Sequence, residues 1–156
     1  MAKEIFITQW FSNDMLSAGE SLIKRLDESD LKVLAAFWIQ DAEDKTWKLT
    51  IVSPLVESLG PRNYYKCIND INRSVSPNEE VIALHDISVS NTDNRFVKAI
   101  KHSVLGNAIL RNNRLGRNTL DGVYIEDMYL YRIDWKLLEN NKPNASSADR
   151  VHTVNP

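Results

Sequence analysis

The chain has 156 residues, of which 43% are hydrophobic and 26% are charged, and its formal net charge is −2. This length fits one domain whose core is large enough to fold without a metal or a disulfide, and the composition argues against disorder over most of the chain. A single cysteine, Cys67, can supply neither an internal disulfide nor a cysteine-rich zinc site.

The sequence carries no targeting or membrane signal. The N-terminus lacks an apolar region of signal-peptide length, and no window approaches the roughly 18 apolar residues of a membrane span. We therefore expect a cytoplasmic protein without a membrane partner. No cofactor and no metal are predicted, because no glycine-rich phosphate loop and no histidine-rich metal motif is present.

The first third of the chain is predicted to contain three strands and one helix. Residues 4–11 are rich in β-branched and aromatic residues, which favours a strand. Residues 14–28 repeat apolar side chains at helical spacing. Residues 32–40 form an apolar run and residues 47–53 alternate between apolar and polar side chains. The short polar stretch between these two runs predicts an antiparallel hairpin.

The rest of the chain is predicted to contain two helices and two strands. Pro61 begins a helix, which ends before Ser76. A strand over 80–89 and a helix over 94–104 follow. The last strand, over 122–133, is largely apolar on both faces, which predicts a central place in the sheet.

The predicted order β-α-β-β-α-β-α-β indicates an α+β fold with a mixed or antiparallel sheet and about three helices. The adjacent second and third strands exclude a strict βαβ alternation, so we expect the helices to pack on one face of the sheet. Residues 1–138 are predicted to form a single domain. Residues 111–118, rich in Asn and Arg, are predicted to be a loop, and residues 139–156 a mobile polar tail.

Positive charge is concentrated in one part of the chain. Residues 93–118 hold six Lys or Arg and one Asp, which gives a net charge of +5. Residues 1–92 hold nine Lys or Arg and fourteen Asp or Glu, which gives a net charge of −5. Such a cluster is typical of a site for phosphate or another anion. The alternative is an ordinary solvated helix face whose cations pair with nearby acids. The candidate anion-binding residues are Arg95, Lys98, Lys101 and His102 on the helix, and Arg111, Arg114 and Arg117 in the loop.

Three residues are candidates for catalysis. Glu126 and Asp127 interrupt the last strand, and a carboxylate among apolar neighbours must be paired, protonated or functional. The alternative is a structural ion pair, for example with Arg132. His85 lies in a predicted strand, where Asp86 would point to the opposite face, so we expect His85 to be packed rather than to form a dyad.

Three functional hypotheses follow. The sequence contains no catalytic motif, so it does not by itself show whether the protein is an enzyme. The first is a small intracellular binding or accessory module that self-associates as a homo-oligomer, through an edge strand around 4–11, or acts through a protein partner. The second is binding of a nucleic acid or a nucleotide through the 93–118 segment. The third is a metal-assisted phosphoesterase that uses Glu126 or Asp127.

Overall fold

The computed structural model of the chain describes residues 2–106 and 108–141. Its helices are α1 (Asn13–Glu28), α2 (Leu55–Leu59), α3 (Pro61–Ser74), α4 (Arg95–Lys101) and α5 (Trp135–Asn140). Its strands are β1 (Lys3–Glu4), β2 (Ala35–Gln40), β3 (Trp47–Val52), β4 (Glu80–Val81), β5 (Ile87–Ser90), β6 (Arg111–Leu120) and β7 (Val123–Ile133). A single 3₁₀ turn, Leu84–Asp86, precedes β5. The fold is α+β, as the sequence predicts.

A five-stranded mixed sheet, in the order β5-β3-β2-β7-β6, forms the centre of the molecule. All neighbours are antiparallel except β3 and β5, which are parallel. The predicted hairpin is confirmed as β2 and β3, which pair from Ala35 opposite Val52 to Gln40 opposite Trp47. The last predicted strand, β7, lies between β2 and β6, which confirms its central place. β1 and β4 form a separate two-residue parallel pair.

Helices cover both faces of the sheet, so the prediction of helices on one face is wrong. Trp38 of β2 belongs to the hydrophobic cluster packed under α1 and α3, which we call the α1 face. Its neighbour Phe37 belongs to a second cluster that includes Val97 and Ile100 of α4 and Leu138 of α5, which we call the α4 face. Because consecutive strand residues point to opposite faces, a strand that is apolar throughout requires cover on both sides.

α1 forms as its periodicity predicts. Its N-cap is Ser12, whose hydroxyl accepts a hydrogen bond from the Met15 amide at 3.2 Å. The buried stripe consists of Met15, Ala18, Gly19, Leu22, Ile23 and Leu26. Gly19 lies against the hydroxyl of Tyr131 and the indole of Trp38, where a side chain has no room.

Three segments differ from the predicted elements. Of the 4–11 segment only Glu4 lies in a strand, because β1 (Lys3–Glu4) has a partner in β4 over two residues only. The predicted strand 80–89 is broken by the 3₁₀ turn. The predicted loop 111–118 is the greater part of strand β6, since Asp121 and Gly122 (φ 46° and 79°) form a two-residue hairpin turn that returns the chain onto β7.

The predicted polar tail lies largely outside the described residues. Residues 139 and 140 belong to α5, and residues from 142 onward are not described. Within the described part of the chain, no helix has the length and apolar character needed to cross a membrane.

Candidate functional site

β6 forms one lateral edge of the sheet and is largely polar and exposed. It pairs with β7 alone, so its other side has no neighbouring strand within the described residues. Most of its residues are exposed, and only Leu120 is buried. The strand contains three arginines, three asparagines and no acidic residue: Arg111, Asn112, Asn113, Arg114, Arg117 and Asn118.

Two of these arginines project to the α1 face. Arg111 lies opposite Arg132 of β7 and Arg114 lies opposite Tyr129. Opposite residues of an antiparallel pair share a face. Arg132 forms a bidentate ion pair with Asp27 of α1, at 2.6 and 2.9 Å, and Tyr129 packs into the cluster under α1. The left-handed backbone of Asn112 (φ 53°) accounts for the break in alternation between the two arginines.

Arg114 is held by both a carboxylate and aromatic rings. Its Nε and Nη2 donate to the two carboxylate oxygens of Asp127, at 2.6 and 2.7 Å. Its guanidinium carbon lies 5.3 Å from the ring centroid of Phe11 and 5.8 Å from that of Trp47. The hydrogen bonds to Asp127 raise the pKa of Arg114. A guanidinium has five N–H groups, so Arg114 keeps donors for a further anion.

Aromatic rings continue this surface on the α1 face. Phe11 stacks on Tyr129, with ring centroids 5.1 Å apart and an interplanar angle of 14°, and it also contacts Trp47 at 5.3 Å. The hydroxyl of Tyr129 lies 3.3 Å from Oδ1 of Asn112 on β6. Aromatic and cationic side chains therefore meet at the junction of β6, β7 and the segment before α1.

The 8–11 segment presents one more aromatic ring, Trp10, which is 75% exposed. The carbonyl of Gln9 accepts hydrogen bonds from Nε1 of Trp47 and Nε2 of Gln40, both at 2.8 Å. The Thr8 hydroxyl donates to the carbonyl of Trp10 at 2.6 Å. The backbone on the N-terminal side of Trp10 is thus fixed to β2 and β3, while its own side chain faces solvent.

The cations of α4 lie on the other face of the sheet. Arg95 stacks on Phe96 at 4.6 Å, and Lys98 pairs with Asp93 at 2.6 Å. Lys101 lies 5.2 Å from the ring of Trp135, and His102 lies 3.3 Å from Oδ2 of Asp121 in the hairpin turn. Since α4 packs on the α4 face and Arg114 contacts the α1 face, the structure does not bring these four residues together with Arg114.

Arg117 lies near the tip of the hairpin. β2 pairs with β7 only from Asp127 onward, so Arg117 and the rest of the hairpin extend past the end of β2 as a two-stranded ribbon. Within the described residues, neither Arg111 nor Arg117 forms an ion pair. Of the three arginines on β6, these two are consequently the ones without a carboxylate bound to the guanidinium.

The candidate carboxylates have separate partners. Glu126 pairs with Nζ of Lys45 at 3.1 Å and accepts a hydrogen bond from the hydroxyl of Tyr124 at 3.1 Å. The hydrogen bond from Lys45 is the largest cause that lowers the pKa of Glu126. Asp127 pairs with Arg114, whereas Arg132, the partner considered from sequence, pairs with Asp27. In the described chain, no cluster of three or more His, Cys, Asp or Glu side chains has the arrangement of a metal site.

His85 differs from its predicted environment. It lies in the 3₁₀ turn rather than in a strand, and its side chain is 81% exposed. The turn brings its Nε2 to 3.4 Å from Oδ2 of Asp86, a contact that extended neighbours could not make. Burial raises the pKa of Asp86, and the charge of His85 opposes this shift. The prediction of a packed His85 pointing away from Asp86 is wrong.

Sequence reasoning missed that Phe11, Tyr129 and Asn112 lie beside Arg114 or beside one another, and it missed that Trp10 is exposed. The only sequence signal for Trp10 was a Trp-Phe pair at the end of an apolar segment, which is equally typical of a core strand. No model of a known protein family matches the chain, and the search of curated proteins and that of solved structures found no significant match.

Proposed function

We propose that this protein is a small binding module that takes a nucleic acid along β6. The proposal rests on one observation: an exposed ten-residue edge strand that carries three arginines, three asparagines and no acid. Guanidinium groups bind phosphates in a bidentate manner, and Arg and Asn can also pair in a bidentate manner with the edges of guanine and adenine.

The charge on β6 favours an anionic partner over a second copy of the chain. If two β6 strands paired antiparallel over all ten residues, Arg114 of each copy would lie opposite Arg117 of the other. Like charges placed directly opposite each other destabilise a strand pair. Self-association through the 4–11 segment is less favoured too, because only one residue of that segment, Glu4, lies in a strand. A mass measurement in solution would test the homo-oligomer hypothesis separately.

The test is fluorescence anisotropy with labelled oligonucleotides, with Arg111→Gln/Arg117→Gln as the test variant. Both residues are exposed and unpaired among the described residues, so their loss should leave the fold intact. We expect wild-type binding at low salt that weakens as salt is raised. The double variant should bind roughly tenfold more weakly or worse. Its salt slope should be shallower by roughly 1.4 to 1.8, since each lost phosphate contact is worth about 0.7 on a single strand and about 0.9 on B-form DNA.

The matched control is Arg62→Gln/Arg73→Gln on α3. These two arginines are also exposed, and α3 packs near β5 at the opposite edge of the sheet. The control removes the same charge and should retain wild-type affinity. If the two double variants lose affinity equally, the loss depends on net charge alone and the proposal is refuted. Failure of wild type to bind any oligonucleotide, or equally tight binding of polyglutamate, would also refute it.

A further inference from the structure

An exposed tryptophan on a fixed backbone needs a physical explanation. Single exposed apolar side chains are normal on protein surfaces. Trp10 differs because two buried-sheet side chains, from Gln40 and Trp47, bind the carbonyl that precedes it. When a large ring on a hydrogen-bonded backbone contacts a ligand, the entropy lost is mainly that of its own side chain, which is the property of an interface anchor.

The contacts of Phe11, the residue that follows Trp10 in the chain, indicate what the ligand is. Phe11 stacks on Tyr129 and lies 5.3 Å from the guanidinium of Arg114 on β6. Aromatic rings next to a basic strand are the combination by which proteins bind single-stranded nucleic acid, because the bases stack and the cations follow the backbone. In a duplex, the bases stack on one another, so their faces are not available to a tryptophan.

We infer that the site takes single-stranded nucleic acid, with one base stacked on Trp10 while the phosphate backbone runs along β6. The inference rests on the proposed function and adds two points to it. The ligand is single-stranded, and Trp10 is the residue that distinguishes a single strand from a duplex. Phe11 and Tyr129 act as positioning residues: they hold Arg114 and the 8–11 segment in one surface.

The experiment compares Trp10→Ala with Phe6→Ala. Phe6 is 86% exposed and lies four residues before Trp10, in the 4–11 segment, so the Phe6→Ala substitution also removes an exposed aromatic ring. The probes are a labelled oligothymidylate of about twenty nucleotides and a duplex of the same length, read by anisotropy. We expect Trp10→Ala to weaken single-strand binding by roughly 5- to 150-fold, the range for loss of one stacking aromatic. Phe6→Ala should have no effect, and Trp10→Tyr should restore most of the affinity.

The outcomes separate this inference from the proposed function. If Trp10→Ala and Phe6→Ala have equal effects, or if the duplex binds as tightly as the single strand, base stacking on Trp10 is refuted. In that case the Arg111→Gln/Arg117→Gln variant would still test whether β6 binds nucleic acid. If no oligonucleotide binds wild type, the proposed function and the inference both fail.

Discussion

Substitution of Gly19 by alanine should destabilise the fold, although it lies in the middle of a helix. Replacing glycine by alanine in a helix interior ordinarily stabilises by about 1 kcal/mol. A Cβ at Gly19, however, would lie 2.8 Å from Nε1 of Trp38 and 2.8 Å from Cζ of Tyr131, and closer still to the Tyr131 hydroxyl. Real Cβ atoms do not approach other heavy atoms so closely, so α1 or Tyr131 must move.

The movement disturbs a buried hydrogen-bond network. The Tyr131 hydroxyl donates to the Leu16 carbonyl at 2.7 Å and accepts from Nε1 of Trp38 at 3.0 Å, and Trp38 is fully buried. Overpacking costs about 1–3 kcal/mol and a buried polar group left without a partner costs about 1–3 kcal/mol. Against the helix gain, we expect a net loss of roughly 1–5 kcal/mol, and a fall in Tm of about 2–20 °C for a domain of this size.

Urea and thermal denaturation followed by circular dichroism would measure this loss. Ser17→Ala is the matched control, because Ser17 is an exposed residue of the same helix and should show only the small propensity gain of about 0.5 kcal/mol. The pair Gly19→Ala/Tyr131→Phe should lose less than the sum of its single variants, since the hydroxyl is the nearest obstacle. A Gly19→Ala protein as stable as Ser17→Ala would refute the reasoning.

Two further predictions concern the hairpin turn and alkaline pH. Gly122→Ala should destabilise by about 1 kcal/mol in urea denaturation, because Gly122 has φ +79°; an unchanged midpoint would contradict this. Tyr64 is fully buried, its hydroxyl donates to the Leu31 carbonyl at 2.9 Å, and burial raises its pKa from 10.0 to about 12. The folded state therefore keeps a proton that the unfolded state loses, so stability is complete below pH 10 and falls as pH rises towards 12, by on the order of 2 kcal/mol. Tyr64→Phe should flatten this part of the pH profile, and an identical profile for the two proteins would exclude Tyr64 as its source.

Short-range patterns in the sequence identified several elements correctly. The buried stripe of α1, the β2–β3 hairpin and the central place of β7 all follow from the spacing of apolar residues. Burial within one element repeats with the geometry of that element, so neighbouring residues carry the signal. The concentration of positive charge in residues 93–118 is likewise a property of the sequence itself.

The candidate site depended on contacts that no local pattern encodes. An Asn- and Arg-rich segment is typical of a loop, and it became β6 because the Asp121-Gly122 turn places it against β7. The Asp121-Gly122 pair is typical of a two-residue hairpin turn, so it was a signal in the sequence from which this strand could have been predicted.

Which charges act together was also decided by tertiary structure. The sequence places the α4 cations and Arg114 in one segment, but the sheet separates them onto opposite faces. The meeting of Phe11 and Arg114, residues about a hundred positions apart, requires the chain to bring its first residues against its last strands. The periodicity of apolar residues determines which side of an element is buried. Which element packs against that side is decided only in the folded chain, where distant segments compete for the same apolar surface.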